Sequence, residues 1–133
     1  MKKTKIIPKV LAILTLCIVL YFIFPPDDKG TNLESVDWLP SEATNITYHF
    51  ESKFGWTREY VCTIDEKAFR NFAKQKSWPL EPITNEYLSF RNIFKDGVHI
   101  DKGLAYIKRK GGGSFCIHYD LVTQKLYHIE THR

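Results

Sequence analysis

Four residues near the end of the chain could share one piece of chemistry: Cys116, His118, His128 and Glu130. Thiolate, imidazole and carboxylate all ligate a borderline metal such as zinc, and neighbours across an antiparallel pair stand about 5 Å apart. Phe115, Ile117 and Tyr119 alternate with Cys116 and His118, and Tyr127 and Ile129 alternate with His128 and Glu130, so both stretches read as strands. Placing all five apolar residues on one face sets Tyr119 opposite Tyr127 and leaves Val122-Thr123-Gln124 as the loop. The four polar residues then gather on the other face, with His118 across from His128 and Cys116 across from Glu130. That arrangement would let the domain bind zinc, and through it act as a metal-binding or enzymatic unit. The plainer expectation is the polar face of a half-exposed hairpin, which collects polar residues whatever its function.

Other candidates are weaker. Cys62 shares a face with Tyr60 and Ile64, whereas Cys116 alternates away from Phe115 and Ile117, so a disulfide between them would need a bulge or different sheets. Lys108-Arg109-Lys110-Gly111-Gly112-Gly113 combines charge with free amides and could cradle an anion. It has neither P-loop nor dinucleotide spacing and leads into no helix, so it reads first as a hairpin turn. Asn45-Ile46-Thr47 matches a glycosylation acceptor. No Ser/His/Asp set and no paired carboxylates emerge, and His49, His99 and His132 are scattered.

The elements that must position these residues follow from periodicity. Thr47 to Phe50 and Thr57 to Ile64 have the β-branched and aromatic content of a hairpin. Asp65 to Lys76 reads as a helix with Asp65 as N-cap and Ile64 and Phe69 as a hydrophobic staple. Ala68, Phe69, Phe72 and Ala73 form its buried stripe. From Leu80 to Asp101 the pattern does not decide between helix and strand. Leu104 to Lys108, Ser114 to Asp120 and Lys125 to Thr131 read as three antiparallel strands. The predicted fold is α+β: an N-terminal transmembrane helix, then a small antiparallel-sheet domain, ββα followed by a C-terminal meander, with one helix packed on the sheet.

The transmembrane helix is expected from Val10 to Phe24, an unbroken apolar run that Ile6 and Ile7 extend. Lys2, Lys3, Lys5 and Lys9 precede it, and the remaining 15 of the 19 basic residues follow it with all 15 acidic ones. The formal charge of +4 therefore reads as a topology signal and excludes a nucleic-acid footprint on the neutral remainder. No small residues supply a cleavage site near Phe24, and bulky Leu16 before Cys17 argues against lipidation. The predicted organisation is a cytoplasmic tail at residues 1–5, an anchor in the lipid bilayer at 6–24, a tether at 25–37 and an exported domain at 38–133.

Leu39-Pro40, Ala43, Ile46 and Tyr48, the Ile64-Asp65-Glu66 helix entry with Trp78 behind it, and Gly112-Gly113 with Tyr119-Asp120 resemble a loosely defined set of short bacterial envelope proteins, anchored or secreted. The resemblance covers most of the exported domain and carries over fold markers but no functional residue. It implies a bacterial source and an inner-membrane anchor, with the C-terminal domain outside the cytoplasm. The expected function is non-catalytic binding of a protein or surface ligand, because a small domain rich in aromatics suits recognition. The alternatives are the Cys116/His118/His128/Glu130 metal or enzyme site and an accessory subunit of a membrane complex.

Overall fold

The structure, a computed structural model, describes residues 6–23, 26–52, 55–89, 92–93 and 96–133. The expected tail at residues 1–5, the Phe24-Pro25 helix end, and Phe54, Phe90 and Phe94 lie outside these. The described residues form mostly one antiparallel sheet, with two helices. In chain order the elements are α1 (Ile6–Ile23), β1 (Asp28–Leu33), β2 (Thr44–Ser52), β3 (Trp56–Thr63), α2 (Glu66–Gln75), β4 (Glu81–Leu88), β5 (Val98–Lys110), β6 (Gly113–Asp120) and β7 (Lys125–His132). The seven strands lie in the order β1-β2-β3-β7-β6-β5-β4.

Among the described residues no helix is long and apolar enough to cross a membrane. This corrects the expected transmembrane helix, and with it the single-pass topology, the bilayer partner and the inner-membrane location. The physical reason is length. Pro8 and Lys9 occupy the start of α1, and Val10 to Ile23 gives about 21 Å of helix against a hydrocarbon core of about 30 Å. The side chains from Val10 to Ile23 are exposed on every side of the helix.

The expected tether contains a strand. Asp28–Leu33 is rich in turn formers, yet its backbone pairs with β2, and the Tyr48 hydroxyl donates to Asp28 Oδ1 across 2.7 Å. Gly30 lies beneath the Tyr48 ring, where a Cβ would stand 2.6 Å from a ring carbon. The undecided stretch after Leu80 is also extended. It supplies the edge strand β4 and the start of β5, and Pro82 is tolerated there because the outer side of an edge strand needs no amide donor.

Both sheet faces are covered. On the first, α2 and the segment after β1 bury Leu39, Ala43, Ile46, Cys62, Phe69, Leu104, Ile117, Tyr119 and Leu126. Asp65 caps α2 as predicted, accepting from the Ala68 amide at 3.0 Å. On the second, Val61, Leu88, Ile100 and Tyr127 form a smaller cluster, with Ile83, Ile93, Val98 and Ile129 against it. Buried Glu59 ties the covering segment to this face: its Oε2 accepts from the amides of Asn92 and Ile93 at 3.2 and 3.1 Å.

The β6–β7 register differs from the predicted one by a single residue. Tyr119 faces Leu126, Ile117 faces His128, Phe115 faces Glu130 and His118 faces Tyr127. The cause lies in the turn. Asp120 Oδ1 accepts from the amides of Val122 and Thr123 at 2.8 and 3.3 Å, and Oδ2 accepts the Thr123 hydroxyl at 2.6 Å. This Asx-type capping makes a turn of Leu121 to Gln124, one residue longer than expected, and a one-residue slip exchanges the faces of a strand.

Candidate functional site

The register separates the four predicted metal ligands. Cross-strand partners share a face, so His128 and Glu130 lie with Ile117 and Phe115 on the helix-covered side, while Cys116 and His118 lie with Ile129 and Tyr127 on the other. The pairing of His118 with His128 and of Cys116 with Glu130 is thereby corrected. Among the described residues no group of three or more His, Cys, Asp or Glu is placed to hold a metal ion. Cys62 and Cys116 are free thiols on opposite faces, Cys62 opposite Leu126 and Cys116 opposite Ile129.

Each predicted ligand has other surroundings. His118 is buried, with Nε2 3.3 Å from Glu86 Oε1, and burial pulls its pKa down although the Glu86 carboxylate pulls it up. Burial raises the pKa of the Cys116 thiol, against the usual activation of a nucleophile. His128 sits in an aromatic box: Trp38 stacks on it at 4.5 Å between centroids, with Phe115 at 4.8 Å and Tyr60 at 5.6 Å. Burial, then the nearby Arg58 charge, pushes its pKa down to about 3. Glu130 Oε2 lies 4.0 Å from His128 Nε2, but it stands closer to Arg58, at 3.7 Å, and a buried imidazole with so low a pKa is neutral.

A concave feature lies on the helix-covered face, beyond the reach of α2. Tyr106, Lys108 and Lys110 alternate along β5. Through Ile117 and Phe115 of β6, the pairing carries the first two rows to His128 and Glu130 of β7, then to Tyr60 and Arg58 of β3, and next to them Trp56 pairs with His132. Helix α2 covers one end of these rows. The other end stays open and forms a cleft of about 740 Å³, lined by Trp38, Trp56, Trp78, Tyr106, Phe115 and His132, with Lys76, Lys108, Lys110, Ser77 and Glu130 among the polar groups.

Local structure fixes the walls. Lys76 ends α2, and Ser77 takes a left-handed φ of 56°, which turns the chain so that the Trp78 amide reaches the Ala73 carbonyl and the indole lies against the sheet. Trp78 is nearly parallel to Tyr106, at 16° and 5.8 Å, and stands 5.4 Å from Phe115. Trp38 closes the inner wall, held over the sheet by the Leu39-to-Val36 and Ala43-to-Pro40 backbone bonds. At the outer end Trp56 stacks on His132 at 8° and 5.8 Å. Gly111 and Gly112, with φ of 49° and 85°, make the two-residue turn that returns β5 into β6, a conformation few other residues adopt. The alternation of β5 therefore aims Lys108 and Lys110 into the cleft side and Arg109 away from it.

The sequence-level candidates missed Trp38, Trp56, Trp78, Tyr106 and Lys76. Their signal was present only in diluted form, as an aromatic content of 14% and the Tyr-x-Lys-x-Lys alternation before the glycine turn. Bringing Trp38 and Trp78 together needs the tertiary fold, because each lies outside the strands. Compared with known proteins, the chain matches no protein family, no curated protein and no solved structure.

Proposed function

We propose that this protein is a non-catalytic binding module whose ligand lies in the cleft between the end of α2 and the Lys110–Gly113 turn. The observation that carries this reading is the convergence of Trp38, Trp56, Trp78, Tyr106 and Phe115 on one open concavity of about 740 Å³. Partly exposed aromatic surface is costly to leave in water and gives a large contact area at little conformational cost. The volume falls in the usual range for small-ligand sites, roughly 300 to 1,000 Å³. The cleft also spans segments distant in sequence, which hold it pre-formed and reduce the ordering cost of binding.

Tryptophan emission of the full chain, titrated with a panel of oligosaccharides, nucleotides and short peptides, tests the reading. A saturable change with at least one class, lost in Trp78→Ala, is the expected result, with mass spectrometry showing every bound compound unaltered. Turnover of a panel member, or binding that Trp78→Ala leaves intact, contradicts it. Circular dichroism verifies the fold of the variant, and Tyr106→Leu replaces it should it unfold.

A further inference from the structure

The geometry points to an acidic sugar, a uronate unit of an anionic glycan, as the ligand of the cleft; this rests on the binding reading above and names its chemistry. Among the described residues three ammonium groups, Lys76, Lys108 and Lys110, line the cleft against one side-chain carboxylate, Glu130. That carboxylate already faces Arg58 at 3.7 Å, and Arg58 is itself seated over the rings of Phe50 and Trp56 at 5.7 and 5.4 Å. The local balance is cationic although the chain beyond α1 is neutral by formal count. A ligand that enters must therefore bring negative charge to complement it.

The aromatic geometry gives the second requirement. Trp78 and Tyr106 stack on each other within 16° of parallel, their centroids 5.8 Å apart, so a flat-faced ring can extend the stack on one outer face. Glu130 separates the classes of ring that also carry an anion. A carboxylate beside the stack accepts O–H donors, which a sugar supplies around its rim, and it repels a phosphate monoester, with nearly two charges, more strongly than the single charge of a uronate. Ser77 and the backbone of Gly111 and Gly113 line the remaining wall and add donors and acceptors suited to hydroxyl groups. A nucleotide satisfies the stacking and the lysines but brings nearly two negative charges close to Glu130. An acidic peptide satisfies the lysines but offers neither the ring face nor a rim of hydroxyls. In the favoured pose the sugar ring lies on the outer face of the Trp78–Tyr106 stack, its carboxylate reaches Lys108 and Lys110, and one hydroxyl donates to Glu130.

Fluorescence titration of the full chain with four probes decides: tetragalacturonate, its neutral methyl ester, adenosine monophosphate and tetraglutamate. Tetragalacturonate is expected to bind saturably and its ester about tenfold more weakly, with the Lys108→Gln/Lys110→Gln pair losing about tenfold for the acid and almost nothing for the ester. Equal affinity for acid and ester, or tighter binding of the nucleotide or the peptide, overturns the acidic-sugar assignment; if Trp78→Ala abolishes that binding, the cleft reading stands. Silence of all four probes also overturns the assignment, and the wider panel then judges the cleft reading separately.

Discussion

The phenol of Tyr119 donates to the backbone carbonyl of Ile64 across 2.9 Å, joining β6 to the residue that precedes the N-cap of α2. The two residues are far apart in the chain and both are buried. Phe69 of the helix stacks on the same ring at 4.4 Å and 10°, so one aromatic side chain sets both the height and the entry point of α2 on the sheet. Burial, first among the causes, pushes the Tyr119 pKa up to about 12, which keeps the hydroxyl a donor at any ordinary pH. Tyr119→Phe keeps the ring stack and strands the Ile64 carbonyl, at a cost of about 1–2 kcal/mol, or about 5–10 °C in melting temperature for a domain of this size. Thermal and urea melts check this, and a variant as stable as the parent contradicts it.

Much of the fold was legible where local physics decided it. The Asp65 cap, the buried stripe of α2 and the glycine turn after Lys110 are set by residues within a few positions of each other, and each stands where the sequence places it. The anchor, the metal face and the edge strands were not legible, for different reasons. Composition marked α1 as apolar but left its length short of a span. Strands β1 and β4 are largely exposed edges with little apolar alternation, so backbone pairing with their neighbours holds them where side-chain pattern is silent. The predicted cross-strand pairing rests on a meander with one wet side, whereas Leu88, Ile93 and Ile100 cover that side, so that Tyr127 is buried and Ile129 partly buried there. The aromatic cleft is a property of assembly, its Trp, Tyr and Phe side chains drawn from three strands and two connecting segments.

The turn that chose the register offers its own measurement. Asp120 is buried and its two oxygens accept three bonds from Val122 and Thr123. Asp120→Ala removes all three and is expected to cost about 1–3 kcal/mol, while Asp120→Asn, which keeps one carbonyl acceptor for the amides, costs less. Because the turn length fixes which face His128 occupies, hydrogen exchange of the β7 amides should accelerate in the alanine variant before global unfolding. Unchanged exchange in β7 would detach the turn from the register.

The cysteines separate by environment. Cys62 is buried in the main core, and burial raises its pKa to about 12, so almost no thiolate exists at neutral pH. Cys17 is exposed on α1. A thiol reagent such as dithionitrobenzoate should label Cys17 in the native protein and reach Cys62 only as the fold opens, at a rate that tracks denaturant. Fast labelling of Cys62 in Cys17→Ser/Cys116→Ser protein without denaturant would contradict the placement of β3 against the core.

The stacking of Trp38 on His128 makes acid sensitivity a probe of the cleft wall. His128 has a folded pKa of about 3 against an ordinary value of 6.5, so at intermediate pH the unfolded chain takes up a proton that the folded chain refuses. Its contribution is fully present above the unfolded value and is lost as the pH falls from 6.5 toward 3. Lowering the pH from 7 to 5 therefore costs about 2 kcal/mol from this residue alone, at about 1.4 kcal/mol for each unit below the unfolded value. His128→Phe keeps an aromatic ring in the box and is expected to remove that slope from urea melts run across the range, leaving the contribution of His118, whose pKa burial also lowers. Trp38→Ala acts from the other side. It opens the box to water at a cost of about 3 kcal/mol, and it lets the His128 imidazole titrate closer to its ordinary value, with Arg58 still holding it down. Proton NMR of the imidazole resonances should then show His128 titrating several tenths of a unit to a few units higher in Trp38→Ala than in the parent. An imidazole that titrates identically in the two proteins would mean that Trp38 does not seal the inner wall, and the cleft would lose the rigid floor on which ligand stacking depends.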